Sequence, residues 1–416
     1  MRHNKTFLPT LNELRTLRFE VNQKIATSFL DLLRWPSKKT MESVSDVLSN
    51  LSTGILYKNP KSHVRSIHAY FPSLVQLPNG DLLATYALGE AFEATNMRTH
   101  VARSSDNGQT WHDEGAIYSG RSDRIMSDSG RVSISPHGEL VVNLLRYDRT
   151  DHPDEGLTNA ANMGLVPTET RITRSTDYGS TWSEPALIKP PLAGPCFEIC
   201  SPVTYLSDGR WLLPTSTWSD WKGNLPNGNR MVAFVSLDRG KTWPQYLDVM
   251  HSPEDNLMFW ESKIVQLSDD RLVAIAWCYD HQSNADRPIQ YTISRDGGAT
   301  WLPPQSTGLF GQTLTPCRLS GDRLLCVYRR MDQPGLWVVI SQLEGDRWLN
   351  HGYQPLWGHR STNGQTVREA KMVDTFHGLT FGAPSTICLS NGNVFMAFWC
   401  YEKNVSVIRW FNFQVD

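Results

Sequence analysis

The chain has 416 residues, of which 40% are hydrophobic and 20% charged, and its formal net charge is -2. A balance this close to neutral argues against nucleic acid or an anionic membrane as a partner. Apolar runs stay below the roughly 18 residues of a membrane span. Residues 1–9 lack the apolar segment that follows the basic start of a signal peptide, so the expected location is the cytoplasm.

Cysteine and histidine usage gives no sign of a cross-linked or metal-binding protein. The seven cysteines are odd in number and dispersed along the chain, which is unlike a disulfide framework or a zinc site. Cys196 and Cys200 are the pair that could meet. The histidines are scattered without ligand spacing, so we expect neither a metal nor a cofactor.

Residues 1–52 differ from the rest of the chain and predict an α-helical N-terminal extension. Apolar residues there fall at steps of three and four, as on one face of a helix: Leu14, Leu17, Val21, Ile25, Phe29 and Leu32. Trp35-Pro36 ends this helix, and a second short helix is predicted over residues 41–51. Because a long apolar stripe needs a partner, we expect the extension either to pack on its own domain or to join two copies in a homo-oligomer.

One eight-residue motif, Ser-x-Asp-x-Gly-x-Thr-Trp, occurs four times, at residues 104–111, 175–182, 236–243 and 294–301. A worn copy at 341–348 has Leu343 in place of the aspartate. The aspartate can accept hydrogen bonds from the backbone of the following turn, and the glycine permits a positive φ. The motif therefore predicts a structural hairpin corner and a repeat architecture.

A second repeat interleaves with this motif from about residue 53 onward. It consists of a strand, a tight turn and another strand, and it occurs at residues 71–86, 131–145, 201–214, 261–277, 315–328 and 383–399. Strand-forming residues around Asn-Gly or Asp-Gly corners favour β-hairpins. Each hairpin except the last leads into a strand that ends in a Trp-anchored turn. Six units of four strands, A to D, predict an all-β, six-bladed β-propeller over residues 53–416.

The sixth unit lacks one outer strand, because only residues 405–413 follow its hairpin as a strand. Residues 54–57, Gly-Ile-Leu-Tyr, are the one strand-like piece left over. We predict that they pair beside 405–413 and close the ring, since this pairing covers an exposed strand edge.

Four Asp-containing corners on six four-stranded units resemble the sialidase superfamily, also called the neuraminidases or BNR-repeat proteins. The resemblance covers roughly residues 53–416 and is more specific for the fold than for the chemistry. The run Glu261-Ser262-Lys263-Ile264-Val265-Gln266-Leu267 resembles the sialidase segment in which a glutamate polarises a tyrosine nucleophile. The resemblance also places Glu93 near the family's acid/base aspartate, with Glu90 as the alternative for this role.

Three positions depart from the sialidase pattern. The family binds the carboxylate of its substrate with three arginines, the first in an Arg-Ile-Pro triplet, where this chain has Tyr70-Phe71-Pro72. Trp277 stands at the expected place of the second arginine, and Ala383 at that of the nucleophilic tyrosine. Tyrosine and tryptophan cannot reproduce the bidentate contact of an arginine with a carboxylate. We therefore expect no efficient cleavage of sialosides.

The long D-to-A and B-to-C connections of an antiparallel propeller share one face, and sites are usually built on such loops. The candidates therefore lie where A strands start and B strands end, around the channel mouth. Carboxylates, arginines and indole rings suit a sugar there. The substrate-binding candidates are Tyr70, Arg131, Arg146, Asp148, Trp218, Trp277, Arg329, Arg330 and His377, of which Arg146, Arg329 and Arg330 could rebuild an anion clamp.

Glu261, Glu198 and Glu93 are the candidate catalytic residues. Glu261 and Glu198 begin A strands in adjacent units, which would bring them together. Two close carboxylates have their pKa values pushed apart and so supply an acid and a base. Related six-bladed exo-arabinanases look similar in using two glutamates on this scaffold. Glu198 could instead be a buried structural carboxylate bonded to a loop backbone.

Two functions fit these residues. The first is an exo-acting glycoside hydrolase for a terminal sugar, with an acidic sugar not excluded, and the retained glutamates favour it. The second is a non-catalytic carbohydrate-binding propeller, which the missing tyrosine and arginines favour. A polysaccharide lyase is a further alternative, with His377 or Tyr70 as its base.

Overall fold

The computed structural model describes residues 47–118, 123–359 and 378–416. These residues form six antiparallel sheets, five of four strands and one of five, which confirms the predicted all-β, six-bladed propeller. Among the described residues, no helix is long and apolar enough to cross a membrane. His377 and residues 1–46, the greater part of the predicted helical extension, lie outside the described residues.

Strand β1 (Leu48–Tyr57) comes first in the chain, and the strands of the first three blades follow it. From the innermost strand outward, these are β2 (His68–Gln76), β3 (Leu82–Gly89), β4 (Arg98–Ser104) and β5 (His112–Ala116); β6 (Met126–Ile134), β7 (Leu140–Asp148), β8 (Thr168–Ser175) and β9 (Ala186–Leu187); and β10 (Phe197–Glu198), β11 (Thr204–Tyr205), β12 (Trp211–Thr217), β13 (Arg230–Ser236) and β14 (Gln245–His251). The third inner strand is interrupted, since β10 and β11 both pair with β12.

The last three blades have the same order. Their strands are β15 (Leu257–Gln266), β16 (Leu272–Asp280), β17 (Ala285–Ser294) and β18 (Gln305–Ser306); β19 (Gly311–Arg318), β20 (Leu324–Arg330), β21 (Leu336–Glu344) and β22 (Arg347–Trp357); and β23 (Phe381–Cys388), β24 (Val394–Glu402) and β25 (Val405–Val415). A single 3₁₀ turn, Ser320–Asp322, joins β19 to β20 in the described part of the chain.

The ring is closed by strand β1, which adds to the outer edge of the sixth blade. Thr53 pairs with Phe411 and Ile55 with Arg409 in an antiparallel register, as predicted for residues 54–57. The strand is longer than predicted and begins at Leu48. Residues 48–51 therefore form a strand where the sequence predicted the end of a helix, because the free edge of β25 offers them backbone partners that a local helix cannot outweigh.

The core consists of layers between successive blades. Tyr86 of the first blade shares one apolar cluster with Phe395 and Trp399 of the sixth, and Val327 of the fifth blade shares another with Phe398. Second strands such as β3 and β16 are buried along their whole length. Their continuous apolar sequence follows from this position, since neither face meets water.

The four Asp-containing corners have the hydrogen bonds expected from the sequence. In the copy at 294–301, Asp296 accepts from the backbone N–H of Thr300 at 2.9 Å, and Ser294 Oγ accepts from Gly298 N–H at 2.7 Å. The Thr300 hydroxyl and then its N–H hold the pKa of Asp296 at about 2. These aspartates are therefore occupied in stabilising turns between the third and fourth strands.

We predict that Gly54→Val destabilises the closed ring, although valine favours strands. A Cβ at Gly54 would lie 2.6 Å from the Trp410 ring, and such overpacking costs about 1–3 kcal/mol. Thermal unfolding should show a melting temperature several degrees lower. Ser52→Val is the matched control, because Ser52 is exposed on the same strand. Equal melting temperatures for the two variants would contradict the close packing of β1 on β25.

Candidate active site at the channel mouth

Four of the six inner strands kink at the same level of the ring. In β2, β15, β19 and β23 the pairing register shifts at a β-bulge. The residue at each bulge has a positive φ: Phe71 at 54°, Glu261 at 53°, Thr313 at 56° and Ala383 at 47°. A non-glycine residue in this conformation stores about 1–3 kcal/mol of strain. Bulges of this kind redirect side chains beside active sites.

These four bulge residues lie at the boundary between two cavities on the propeller axis. The first is a mouth cavity of about 140 Å³ on the side of the long loops, and the second is a channel of about 320 Å³ beneath it. All four residues line both cavities. The bulges therefore build the floor of the mouth cavity. The expected location of the site, at the starts of A strands, coincides with this floor.

The mouth cavity is aromatic, with a few charged groups. Its rings are Phe71, Phe92, Tyr147, Trp218, Trp277 and Trp399, and its charged residues are Glu93, Glu198, Glu261 and Arg329. Aromatic walls with a few convergent polar groups are typical of small-molecule sites. All three candidate catalytic glutamates face this one space.

Glu198 and Glu261 are in direct contact across the third and fourth blades. The Glu261 backbone N–H donates to Glu198 Oε2 at 3.1 Å. The other oxygens, Glu198 Oε1 and Glu261 Oε2, are buried and accept no hydrogen bond from the described residues. A buried acceptor without a donor is costly, so these two oxygens are the positions where a ligand would gain most.

Burial, with a smaller contribution from the charge of Glu198, raises the pKa of Glu261 to about 7 against the opposing effects of Arg329, Lys263 and the Thr313 N–H. The carboxyl of Glu261 is thus partly protonated at neutral pH. A carboxyl group that carries a proton near pH 7 can donate it to a leaving group.

Arg329 lies beside Glu261 within a polar network that the sequence did not reveal. Its Nε and Nη2 donate to Gln312 Oε1, and its Nη1 donates to the Phe381 carbonyl at 2.8 Å. Gln312 Nε2 in turn donates to Asp286 at 3.3 Å, and Trp277 Nε1 donates to Asp286 at 2.6 Å. Burial raises the pKa of Asp286. The guanidinium is therefore largely occupied by protein acceptors.

Glu93 belongs to a wall made by the long loops of the first two blades. Its Oε2 accepts from the Leu157 N–H at 2.8 Å. Arg149 is 1% exposed and donates to the carbonyls of Glu93 and Glu155. Because the Arg149 guanidinium binds the backbone of both loops, it fixes their relative position. Glu93 therefore reaches the cavity from a fixed loop.

Trp260 packs between the third and fourth blades, as expected from its place next to Glu261. Its ring stacks on Trp218 at 4.8 Å and on Tyr279 at 5.5 Å, and Trp277 meets it edge-on at 4.8 Å. Trp218 is fixed further by donating its Nε1–H to the Met163 carbonyl at 2.6 Å. This stack holds the backbone on which Glu261 sits.

Two predicted binding residues lie outside the mouth cavity but close to its floor. Tyr70 is fully buried in the apolar layer between the first and sixth blades, and its hydroxyl lies 2.9 Å from that of Tyr401. Arg131 lines the channel below the floor, where it donates to Ser129 Oγ at 2.7 Å and lies 5.5 Å from the Phe71 ring. Tyr70 therefore has a packing position, and Arg131 a position beneath the site.

Three further predicted residues lie away from both cavities. Arg146 faces Glu169 at 3.7 Å, and Asp148 accepts from Arg124 at 2.9 Å. Arg330 pairs with Asp332 at 2.7 Å and lies over the Trp337 ring at 4.6 Å. The structure does not bring Arg146 or Arg330 to Arg329. Within the described residues, Arg329 is the one arginine of the mouth cavity.

Sequence reasoning missed Tyr147 and Asp286. Tyr147 stands between two predicted site residues, Arg146 and Asp148, and alternate residues of a strand face opposite sides. That alternation was an available signal. Asp286 is the second residue of a third strand, β17, whereas the predicted site residues lie on first and second strands. Nothing in the sequence indicated that the bulge occurs in four blades, because the four residues at the bulges have chemically unrelated side chains.

The fold and the repeated corners define the class, a six-bladed β-propeller with BNR repeats, and residues 158–352 match the model of the BNR repeat-like domain. The chain is similar to a protein of unknown function from Dyadobacter fermentans, with 18% identity over 88% of this chain and 100% of that one and a TM-score of 0.67. It is also similar to the intramolecular trans-sialidase from Ruminococcus gnavus (12% identity, 84% and 95% covered, TM-score 0.59) and to Trypanosoma rangeli sialidase (14%, 87% and 58%, 0.62). A search of the curated proteins finds no match. The chain has the sialidase fold.

We predict that Glu261→Gln changes stability in a pH-dependent way. Because the pKa of Glu261 is raised in the folded protein from 4.5 to about 7, its favourable contribution is complete below pH 4.5 and is lost as the pH rises through 7. Glutamine mimics the neutral carboxyl. The variant should therefore melt close to wild type at pH 5 and above wild type at pH 8.

The control for this prediction is Glu254→Gln, in which an exposed glutamate is changed. Its difference from wild type should be the same at both pH values. A Glu261→Gln variant that loses stability relative to wild type at pH 8 would show that the ionised carboxylate is favoured in the fold.

Proposed function

We propose that this protein is an exo-acting glycoside hydrolase that uses Glu261 and Glu198 on a terminal, uncharged sugar. The observation that carries the proposal is the pair of enclosed carboxylate oxygens on adjacent blades, both without a donor and both in residues of one small aromatic cavity. Two carboxyl groups about a glycosidic bond are the usual apparatus of sugar hydrolysis. The sialidase fold is consistent with this chemistry but does not prescribe it.

Glu261 acts as the general acid. Its pKa of about 7 keeps a proton available near neutral pH, and the proton passes to the glycosidic oxygen as the bond to the sugar breaks. Glu198 is the second carboxylate. It holds the Glu261 backbone with one oxygen and has the other free for the anomeric carbon or for the water that attacks it.

The size of the mouth cavity supports action at a chain end. Its volume of about 140 Å³ is below the roughly 300–1,000 Å³ of sites for drug-sized ligands. One sugar ring therefore fills it, and the aromatic walls cover the apolar faces of that ring. Glu93, on the wall of the first blade, is placed to bind a hydroxyl of the same sugar.

The charges of the mouth cavity support an uncharged sugar. Three carboxyl-bearing residues and one arginine line it in the described part of the chain. Arg329 already gives its Nε–Nη2 edge to Gln312 and its Nη1 to Phe381, so the edge that best grips a carboxylate is taken. An anionic sugar would meet repulsion from the glutamates without a clamp to offset it.

We expect Glu261→Gln and Glu198→Gln each to lower kcat by about a hundredfold or more on the best substrate of a glycoside panel, the usual effect of removing an acid or base. The kcat of the double variant should be only slightly lower than that of either single variant, because the effects of substitutions in residues that act as a unit are not additive. Release of a chromogenic aglycone measures both.

Glu344→Gln is the matched control, because Glu344 is exposed on the third strand of the fifth blade. Wild-type rates are expected for it. If both cavity variants keep wild-type rates, the chemistry does not involve this pair. If wild type binds a sugar but turns over none of the panel, the protein is a carbohydrate-binding propeller instead.

We predict that neutral glycosides are better substrates than their acidic counterparts. Nitrophenyl hexosides and the matching uronides differ only in the carboxylate, so their ratio of kcat/KM isolates its effect. The kcat/KM of the hexoside should exceed that of the uronide by at least tenfold, and sialosides should be cleaved poorly. A preference for a uronide or a sialoside would mean that Arg329 releases Gln312 to bind the substrate.

A further inference from the structure

Two cysteines meet where the inner strands of the fifth and sixth blades end, next to Pro316 and Ile387 of the channel lining. Cys317 lies next to the end of β19, where it pairs with Leu325, and Cys388 is the last residue of β23, where it pairs with Val394. Their Sγ atoms are 2.8 Å apart. They belong to the inner strands of the fifth and sixth blades, so this contact crosses a blade boundary.

The two sulfurs are already close to bonding geometry. A disulfide has an S–S distance of about 2.05 Å, so the pair needs to approach by less than ~1 Å. The cysteines are 71 positions apart in sequence, which is why their spacing gave no signal. Only the closure of the propeller places their strands side by side.

The pair has the asymmetry of an attacking and a resolving thiol. Cys388 is exposed, whereas Cys317 is buried. A hydrogen bond from Cys317 lowers the pKa of Cys388, while the same bond and burial raise that of Cys317. A lower pKa gives more thiolate, which is the attacking species.

The other five cysteines lack both features. They are buried or half-buried, and burial raises the pKa of each: Cys196, Cys200, Cys278, Cys326 and Cys400. Thiol reactivity in this chain is therefore concentrated at one position, Cys388, with a neighbour in contact to complete the reaction.

We propose that Cys317 and Cys388 are a modification site, at which exchange with a small-molecule disulfide forms a covalent cross-link between the fifth and sixth blades. The Cys388 thiolate attacks one sulfur of the small disulfide and releases its first thiol. Cys317 then loses its proton and attacks Cys388 Sγ, which releases the second thiol. Both protein thiols are oxidised, the small disulfide is reduced to two thiols, and two protons are accounted for on the released thiols.

The position of the bond gives it a structural effect. In the sixth blade the outer strand, β1, precedes the first blade in the chain and is held to β25 by strand pairing rather than by a chain connection. A bond from β19 to β23 fixes this blade to its neighbour. Because a cross-link between distant positions restricts the unfolded chain, it stabilises the fold.

The test is oxidation of the full chain with oxidised glutathione. Titration of the denatured protein should count seven thiols before treatment and five after it, since two of the seven cysteines are consumed. The intact protein should become lighter by two hydrogens. Tryptic peptides 296–318 and 372–403 should appear joined, with fragmentation assigning the bond to Cys388 rather than Cys400. The melting temperature of the oxidised protein should rise by a few degrees.

Cys388→Ser is the matched variant, because an exposed side chain is changed and folding should be unaffected. Under the same treatment it should gain no intramolecular bond and no rise in melting temperature. The Cys317→Ser variant should instead stop at a glutathione adduct on Cys388. A lasting glutathione adduct on the wild type, seven remaining thiols, or a bond between other cysteines would overturn the proposal. Equal melting temperatures of the reduced and the cross-linked wild type would overturn the stabilising effect.

Discussion

The pairing of β1 with β25 is the constraint on which the rest of the structure depends. Each blade contributes little to the site by itself: Glu93, Tyr147, Glu198, Glu261, Arg329 and Trp399 come from six successive blades. They share one cavity only because the six inner strands meet around one axis. A ring left open at the sixth blade would expose the edge of β25 and would no longer fix the distance between the first blade and the last.

Within the closed ring, the bulges determine what faces the axis. A regular strand alternates its side chains between two faces, and in a propeller both faces of an inner strand pack against neighbouring blades. A residue that must point along the axis needs a break in this alternation. Positive φ at Phe71, Glu261, Thr313 and Ala383 provides it, and the surrounding blades over-determine the strained conformation. At Glu261 the strained backbone also carries a carboxyl group whose pKa is raised.

The fold could be predicted because its signals are local. An Asp-containing corner requires particular residues within eight positions, independently of the rest of the chain. Even the worn corner follows this logic, since Asn350 accepts from the Ser341 hydroxyl at 2.9 Å and from Trp348 Nε1 at 2.7 Å. The start of β1 was mispredicted as helix because its partner lies more than 350 residues away in sequence.

The site was less predictable, because its contacts are not local. The sequence located the glutamates at strand starts, but it could not reveal that Gln312 and Phe381 occupy Arg329. Arg146 and Asp148 were predicted to bind substrate, but they pair with Glu169 and Arg124 outside the cavity. Tyr147, which lies between them in sequence, lines the cavity instead. The Cys317–Cys388 contact was invisible for the same reason.

The residues that define the fold are separate from the residues of the mouth cavity, so the sialidase fold does not by itself determine the chemistry of that cavity. The corners that define the repeat lie at one face, and the mouth cavity lies at the other. Residues that line the cavity, such as Trp277, can therefore differ between propellers without disturbing a corner. In the described part of the cavity three carboxyl groups share the enclosed space with one arginine, and burial, together with the charge of Glu198, favours a proton on Glu261 against the effect of Arg329. The raised pKa of Glu261 thus arises from how the bulge buries its carboxyl group beside Glu198, and not from the corners that define the repeat.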